Sequence, residues 1–130
     1  MSITTVVNCK VAHIRPHYQN LEQWCQDPNN AYIGRVVFIN GVRYPANDSL
    51  FANPFKIPKG VTDRSQCLTQ YYQYIHNRLS TEPELFNQLL QLRGKNLGCW
   101  CALYDKFGNR TNPDQCHGDI LVKILESYPL

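Results

Sequence analysis

The sequence predicts a small α/β domain in which a mixed or parallel sheet forms a single layer flanked by helices. Candidate elements follow one another in the order strands, irregular loop, two helices, strand, loop and helix. A strand that is reached through helices usually pairs in parallel by a right-handed crossover. An α+β arrangement is the alternative, and the length of 130 residues fits one domain spanning residues 1–130.

Two segments in the first third of the chain have the composition of β-strands. Thr4 to Cys9 is short and rich in β-branched residues, and Tyr32 to Ile39 has a similar composition. The pair Asn40-Gly41 predicts a turn that closes a hairpin over Val36 to Tyr44. Residues 45–60 are dense in turn-forming residues and have no period, so we expect an ordered loop there.

Two helices are predicted in the centre of the chain and a third near its end. The first has an apolar stripe at helical spacing, which favours burial over a base-stacking surface and consists of Leu68, Tyr71, Tyr72, Ile75 and Leu79. In the second helix, Thr81 and Glu84 match a capping box with Pro83 in the first turn, and the pattern stops near Gly94. The third helix runs from Ile120 to Leu125.

Composition and charge narrow the class of protein without identifying a partner. The chain has 13 basic and 10 acidic residues, and its formal charge of +3 is too small to indicate a nucleic-acid binder by itself. Because no segment has the features of a signal peptide or a membrane span, we expect an intracellular, cytoplasmic protein with no membrane partner. The six cysteines are then expected to be reduced rather than paired in disulfides.

Cysteine and histidine are concentrated towards the C-terminal end of the chain. If Lys95 to Cys101 is a strand, Cys99 and Cys101 project from the same face, because side chains alternate along a strand. A turn before the last helix can bring Cys116 and His117 back over them. These four residues are soft ligands of the kind that tetrahedral zinc prefers, so zinc is the predicted cofactor.

Two other interpretations of these residues stay open. The cysteines can be reduced residues of the core, where free cysteine is often found. Alternatively, Cys101 or Cys116 can act as a nucleophile with a histidine partner, since a helix N-terminus lowers the pKa of a nearby thiol. Asp119 is expected to interact with the start of the last helix, with a general base as the alternative. The candidates for a catalytic role are Cys101, His117 and Asp119.

Two residues nearer the N-terminus are candidate ligand contacts. Arg35 follows a glycine, which lets a ligand approach the backbone, and its planar guanidinium suits a phosphate or carboxylate; a structural ion pair is the alternative. Asn53 precedes a proline and is either a loop-shaping residue or a ligand contact. The sequence lacks the patterns of phosphate loops, dinucleotide-binding folds and zinc deaminases.

Five segments carry a resemblance to a known family: YIGR (Tyr32 to Arg35), NPF (Asn53 to Phe55), the tyrosine-rich helix from Gln70 to Tyr74, RGKNLGCWC (Arg93 to Cys101) and CHGDIL (Cys116 to Leu121). Over residues 5–125 the chain resembles a family of small standalone domains of uncharacterised function from phages, bacteria, fungi and large DNA viruses. The resemblance implies that the NPF, CWC and CHGD loops meet in one site, and a viral member would act in the host cytoplasm. One departure is the segment from Ala102 to Gln115, which is longer than in the family and adds Asp105, Lys106 and Arg110 at the rim of any pocket.

The predicted function is the binding of a nucleotide-like or other phosphate-bearing ligand. The expected site combines Arg35 and Asn53 with the CWC strand and the CHGD turn, and it is compatible with bound zinc and with catalysis. The alternative is a non-catalytic, zinc-stabilised module that binds nucleic acid or a protein. A cleft beside the cysteines would favour the first function, and a closed metal site without a pocket would favour the second.

Overall fold

A three-stranded parallel sheet forms the centre of the fold. The computed structural model describes residues 3–39, 41–55, 64–112 and 114–127. In chain order the elements are β1 (Thr5–Asn8), α1 (Val11–Ile14), α2 (Leu21–Gln26), β2 (Asn30–Tyr32), β3 (Val37–Ile39), β4 (Val42–Tyr44), α3 (Ser65–Thr81), α4 (Pro83–Leu90), β5 (Asn96–Cys99) and α5 (His117–Ser127). The described residues therefore have the mixed α/β fold that the sequence predicts. None of their helices combines the length and the apolar character that crossing a membrane requires.

Strand β5 is the middle strand of the parallel sheet, whose order is β1-β5-β2. On one side Asn8 of β1 lies opposite Cys99, and on the other side Tyr32 of β2 lies opposite Gly98. Parallel strands end at a common edge, so the segments that follow β1, β2 and β5 leave the sheet on the same side. This edge is where ligand sites of α/β sheets usually form.

Two hydrophobic clusters cover the two faces of this sheet. The larger cluster packs α3, α4 and α5 against Leu97 and Cys99. The smaller one contains Trp24 and Cys9. Gly98 faces the smaller cluster, because a Cβ at this position would collide with the ring of Trp24 and the sulfur of Cys9. The alternation along β5 therefore directs Cys99 towards the face that α5 covers.

The prediction of one strand from Tyr32 to Ile39 is wrong, because this segment contains parts of two strands. Strand β2 ends at Tyr32, and β3 belongs to a separate two-stranded sheet with β4. The interruption has a steric cause at Gly34, because the Tyr32 ring folds back over it. A Cβ on Gly34 would lie 2.6 Å from the Tyr32 hydroxyl oxygen.

The hairpin predicted over Val36 to Tyr44 is confirmed by the antiparallel pairing of β3 with β4. Gly41 has a φ of 77°, a conformation that suits glycine in a tight turn. Asn40 and residues 56–60 of the predicted loop lie outside the described residues. The described part of that loop, residues 45–55, contains no helix or strand, as predicted, and Phe51 anchors it in the core.

Helix α3 buries most of its predicted apolar stripe. Tyr71 and Ile75 are fully buried, and the Tyr71 hydroxyl donates a hydrogen bond of 2.7 Å to the carbonyl of Phe51. Tyr72 departs from the prediction, because it is 53% exposed and its ring packs against that of His76. The stripe thus belongs mainly to the core.

The capping box predicted for Thr81 and Glu84 is wrong. Thr81 is the last residue of α3, where its hydroxyl donates to the carbonyl of Asn77 at 3.0 Å, so it does not cap the next helix. Glu82 occupies the N-cap position of α4 without a capping side-chain hydrogen bond. Pro83 opens the helix, as predicted.

Helices α1 and α2 were not predicted, because they are too short to develop an apolar period. The start of α2 nevertheless has a local signal. The Asn20 side chain accepts from the backbone N–H of Gln23, and the Gln23 side chain accepts from the backbone N–H of Gln19. This reciprocal pattern resembles a capping box and is visible in the sequence as Asn-x-x-Gln.

Candidate functional site

The end of β5 and the start of α5 bring the four predicted metal ligands together. Strand β5 ends at Cys99, two residues before the predicted end, and α5 begins at His117, three residues before Ile120. Cys101 thus lies beyond the regular strand. Its Sγ is nevertheless 3.6 Å from the Sγ of Cys99, so the two thiols are neighbours, as the sequence spacing predicts.

Three sulfur atoms form a compact cluster at this junction. The Sγ atoms of Cys99 and Cys116 lie 3.0 Å apart, and those of Cys99, Cys101 and Cys116 all lie within 4.8 Å of one another. The sulfurs bound to one tetrahedral zinc ion are about 3.8 Å apart, given Zn–S bonds of about 2.3 Å. The three cysteines could therefore hold a metal ion after a small expansion of the cluster.

Cys101 and Cys116 are joined by a disulfide, with their Cα atoms 5.3 Å apart. This pair departs from the expectation that all six cysteines are reduced, and the turn before α5 brings the two Cα atoms within the range that a disulfide requires. Cys99 is a free thiol, as are the remaining three cysteines. A disulfide and a bound metal would use the same two sulfurs, so they are alternative states of one cluster.

His117 directs one ring nitrogen at the cluster. Its Nδ1 lies 3.3 Å from the Sγ of Cys101 and 4.0 Å from that of Cys116. Its Nε2 lies 2.8 Å from the carbonyl oxygen of Ile33, which can only accept, so Nε2 carries the proton of the neutral ring. Burial lowers the pKa of His117 and favours this neutral form. The lone pair of Nδ1 thus faces the cysteines, an arrangement typical of metal-binding histidines.

Cys116 caps helix α5 and thereby explains its early start. Its Sγ accepts a hydrogen bond of 3.4 Å from the backbone N–H of Gly118, and its own N–H donates to the carboxylate of Asp119 at 3.0 Å. This is the reciprocal pattern of a capping box. Cys116 and Cys99 are both fully buried, and burial raises the pKa of the Cys99 thiol. A thiolate there needs a metal or a positive group beside it.

Asp119 interacts with the start of α5, as the sequence predicts, and it is also held by Arg110. Its two oxygens accept hydrogen bonds of 3.1 Å and 2.6 Å from the Arg110 guanidinium. Asn112 extends this network, because its side chain accepts from Arg110 and donates to the carbonyl of Cys101 at 2.8 Å. A continuous chain of polar contacts therefore connects Cys101 with Cys116.

The long segment between the cysteines folds back on itself. Tyr104 pairs with Arg110 as an isolated bridge, and the backbone N–H of Asp105 donates to the carbonyl of Asn109 at 2.8 Å. Asp105 and Lys106 lie in this turn and are not among the described residues that line a cleft beside the cluster. Arg110 is likewise absent from the described lining, so none of the three residues expected at the rim is found there.

That cleft has a volume of about 410 Å³. The described residues that line it are Gly34, Arg35, Asn53, Phe55, Arg64, Cys67, Leu68, Trp100, Cys101, Gln115 and His117. The structure therefore brings Arg35 and Asn53 to the same cleft as Cys101 and His117. Cys99, Cys116 and Asp119 lie behind these residues and do not line it.

Two guanidinium groups make the cleft electropositive, and none of its described lining residues is acidic. Arg64 donates a hydrogen bond of 2.9 Å to the carbonyl of Cys101. Arg35 is exposed, and its guanidinium has no hydrogen-bond or ion-pair partner within the described ranges. Burial is the largest cause that lowers the pKa of His117, and the charge of Arg35 lowers it further.

Asn53 shapes the loop in which it lies. Its side-chain oxygen accepts from the backbone N–H of Phe55 at 2.8 Å, and its amide nitrogen donates to the Sγ of Cys67 at 3.3 Å. The Cys67 thiol in turn donates to the carbonyl of Phe55 at 3.0 Å. The loop-shaping role weighed for Asn53 is therefore observed, and the residue lines the cleft as well.

Sequence reasoning missed two of the residues that define the cleft. Trp100 is half-buried and lines the cleft, and its indole N–H donates to the Tyr32 hydroxyl at 2.6 Å. That hydroxyl donates to the carbonyl of Arg35 at 2.5 Å. The position of Trp100 between two clustered cysteines was the available signal. Arg64 has no periodic pattern around it, and its role depends on a tertiary contact.

Comparisons with known proteins identify the family. The family described as "Domain of unknown function (DUF4326)" matches residues 17–127. An uncharacterized protein of Acanthamoeba polyphaga mimivirus is 30% identical over 102 residues, which cover 76% of this chain and 71% of that protein. No solved structure matches at a significant level. The resemblance to a family of uncharacterised function is thus confirmed, and the chain belongs to the family Domain of unknown function (DUF4326).

Proposed function

We propose that the chain binds a nucleotide-like or other phosphate-bearing ligand in the cleft beside the cysteine cluster. The observation that carries this proposal is the charge of the cleft, which is lined by Arg35 and Arg64 and by no acidic residue among those described. Guanidinium groups bind phosphate through charge-assisted and often bidentate hydrogen bonds. A ligand with a phosphate group is therefore the chemical class that fits the cleft best.

Arg35 is the principal phosphate contact in this proposal. Its guanidinium has no partner among the described residues, so binding a phosphate breaks no hydrogen bond with any of them. Its backbone is held by the Tyr32 hydroxyl. Arg64 is restrained by its bond to the Cys101 carbonyl and keeps further N–H donors for the ligand.

The remaining lining residues suit a flat group attached to the phosphate. Trp100 and Phe55 provide aromatic surface on which a base can stack. Trp100 is held by its bond to Tyr32, which reduces the entropy lost on binding. Asn53 uses one amide hydrogen in its bond to Cys67, and the second is the proposed contact with the ligand.

Zinc is the metal that we propose for the cluster, with Cys99, Cys101, Cys116 and His117 as ligands. Three thiolates and one imidazole are an established ligand set for this ion. The proton on Nε2 of His117 is engaged by the Ile33 carbonyl, which leaves Nδ1 free for coordination. Three thiolates on a divalent ion leave a net negative charge, which the two cleft arginines offset.

Two of the three catalytic candidates, Cys101 and His117, line the cleft, so chemistry on a bound ligand would involve them. Asp119, the third catalytic candidate, has both carboxylate oxygens engaged by Arg110. For Asp119 we therefore propose a positioning role at the start of α5.

The second candidate function is a non-catalytic, zinc-stabilised module that binds nucleic acid or a protein. Such a module would have a closed metal site without an adjoining pocket. A cleft lined by Cys101 and His117 favours the binding of a small phosphate-bearing ligand instead.

Calorimetric titration of the reduced protein with nucleoside monophosphates, the matching nucleosides and inorganic phosphate tests the ligand proposal. We expect the phosphorylated ligands to bind more tightly than the nucleosides. Arg35→Ala should weaken that binding about 10-fold to 100-fold, the usual effect of losing a charged hydrogen bond. Arg43→Ala is the matched control, because Arg43 is an exposed arginine on β4 that does not line the cleft.

An equal loss of affinity in the Arg35 and Arg43 variants would contradict the proposal, and so would the absence of binding by every phosphate-bearing ligand. A single-stranded oligonucleotide is the fourth ligand in the same titration. Binding of the oligonucleotide without binding of any mononucleotide would favour the second candidate function.

Elemental analysis of protein purified under reducing conditions without chelator tests the metal proposal. We expect one zinc ion per chain in the wild type and little zinc in Cys99→Ser. Cys25→Ser is the control, since Cys25 is a free, half-buried cysteine outside the cluster. Well under one zinc ion per reduced wild-type chain would contradict the proposed site.

A further inference from the structure

We infer that the cluster is also a redox site, in which Cys101 is the thiol that a hydroperoxide oxidises and Cys116 is the thiol that resolves it into a disulfide. The disulfide step requires neither a ligand nor a metal. Its consequence for zinc, described below, rests on the proposed function.

Exposure distinguishes the roles of the three cysteines. Cys101 is half-buried and lines the 410 Å³ cleft, so a small oxidant can reach its sulfur. Cys99 and Cys116 are both 0% exposed and do not line the cleft. Oxidation of a thiol follows its exposure, so the first oxidation is expected at Cys101.

Geometry also selects the resolving thiol. Cys101 and Cys116 have Cα atoms 5.3 Å apart, inside the range of protein disulfides. Cys99 is separated from Cys101 by a single residue, and a disulfide between them would close a very small, strained ring. Cys116 is therefore the partner of Cys101, and Cys99 remains a thiol.

His117 orients the reactive sulfur. Its Nδ1 lies 3.3 Å from the Sγ of Cys101 and carries a lone pair, because the Ile33 carbonyl accepts the proton on Nε2. The Cys101 thiol can thus donate a hydrogen bond to Nδ1. This contact keeps the sulfur next to Cys116 and open towards the cleft.

The reaction has two balanced steps. In the first, the Cys101 sulfur attacks the terminal oxygen of the hydroperoxide, the O–O bond breaks, and the thiol proton passes to the leaving oxygen. The products are a sulfenic acid on Cys101 and an alcohol, or water if the oxidant is hydrogen peroxide. In the second, the Cys116 sulfur attacks that of Cys101, which releases water and forms the S–S bond. Two thiols lose two electrons in total, and the peroxide gains them.

Disulfide formation removes two of the four proposed zinc ligands. Cys99 and His117 alone do not complete a tetrahedral site, so the ion would be released. The same reaction removes the negative charge of two thiolates from beside Arg35 and Arg64. Peroxide would thus change both the metal content of the protein and the charge of the cysteine cluster beside the cleft.

Peptide mapping of the full chain tests the redox site. The protein is reduced, stripped of metal with a chelator, treated with one equivalent of hydrogen peroxide, alkylated and digested with trypsin. Lys106 and Arg110 separate the two cysteines, so the disulfide should join tryptic peptides 96–106 and 111–123. Cys67 is the internal control, because it also lines the cleft, is half-buried and lies on peptide 65–78.

Three cysteine variants assign the roles. Cys101→Ser should abolish the cross-link, and Cys99→Ser should retain it. Cys116→Ser should stop at the sulfenic acid, which dimedone traps on peptide 96–106. Preferential oxidation of Cys67, a cross-link that survives in Cys101→Ser, or no cross-link in the wild type would overturn the inference. The wild-type map decides the question even if a variant fails to fold.

The zinc consequence is measured separately. Zinc-loaded protein should release one ion per disulfide formed, recorded with a chromophoric chelator. A cross-link in the metal-free protein without any zinc binding by the reduced protein would refute the zinc site and leave the redox site standing. Zinc binding without the cross-link would refute the redox site alone.

Discussion

The guanidinium of Arg110 and the carboxylate of Asp119 meet in two hydrogen bonds of 3.1 Å and 2.6 Å, and both side chains are largely buried. Arg110 belongs to the loop that follows β5, whereas Asp119 lies in the first turn of α5. Asp119 also accepts from the backbone N–H of Cys116. This pair therefore fixes the loop to the helix turn that carries Cys116 and His117.

Asp119→Asn should lower the free energy of unfolding by about 2 kcal/mol, because it replaces a charged, bidentate pair and leaves the Arg110 charge partly buried. Urea denaturation measures the change. Asp114→Asn is the matched control, since Asp114 pairs with Lys123 at an exposed position and surface pairs contribute little. Asparagine also tolerates the positive φ of 63° at this position. Equal destabilisation by both substitutions would show that the buried Arg110–Asp119 pair stabilises the fold no more than the exposed Lys123–Asp114 pair does.

Asn112→Ala should be coupled to Asp119→Asn. Both residues bind Arg110, and Asn112 also donates to the Cys101 carbonyl. In a double-mutant cycle measured by urea unfolding, we expect an interaction free energy of about 1 kcal/mol, as is usual for members of one network. Strict additivity of the two changes would refute the network.

Gly98→Ala should destabilise the fold by about 1 to 3 kcal/mol, the range for overpacking a core. The new methyl group would collide with the Trp24 ring and the Cys9 sulfur, neither of which is free to move away. Gly118→Ala is the comparison, because its methyl group would lie 2.9 Å from a methyl of Val6 and meets less resistance. Thermal unfolding should give the lower melting temperature for Gly98→Ala, and the reverse order would contradict the packing described here.

Removal of zinc from the reduced protein should lower its melting temperature by about 10 °C. Binding at about 1,000 times the dissociation constant stabilises a fold by about 4 kcal/mol, and each kcal/mol shifts the transition of a domain of this size by about 3 °C. Calorimetry with and without a strong chelator measures the shift. The melting temperature of Cys99→Ser should not change with the chelator. An unchanged melting temperature of the wild type in the presence of the chelator would contradict a structural zinc ion.

Ligand binding should change the fluorescence of Trp100 and leave that of Trp24 unaffected. Trp100 lines the cleft, whereas Trp24 is 3% exposed in the smaller hydrophobic cluster. Addition of a nucleoside monophosphate should therefore quench the emission of the wild type and of Trp24→Phe. Trp100→Phe should lose the response. A response that persists in Trp100→Phe would mean that the ligand binds elsewhere.

The sequence predicted those parts of the fold that depend on local pattern. The Asn-Gly pair identified the hairpin of β3 and β4, and helical spacing identified α3. It did not predict the end of β2, because Gly34 acts there through the ring of Tyr32, a contact that no period reveals. The start of α4 was wrong for a related reason, since Thr81 hydrogen-bonds within the preceding helix.

The candidate site, too, was predicted only where it depends on local spacing. The two-residue spacing of Cys99 and Cys101 was sufficient to predict that their thiols are neighbours. The orientation of His117 depends on the carbonyl of Ile33, which is 84 residues away in the chain. The position of Arg64 depends on the carbonyl of Cys101. Contacts between distant segments carry no signal in a single sequence.

The loop that connects Cys101 with Cys116 can change in length at its tip without changing the cysteine cluster. Its ends are closed by the backbone bond from Thr111 to Leu103, while Phe107 at its tip is 77% exposed. Lengthening a loop that is closed at its base costs little entropy. A short epitope or a reporter peptide inserted beside Phe107 should therefore be tolerated, which provides a handle for following the protein in cells without altering its sulfur chemistry.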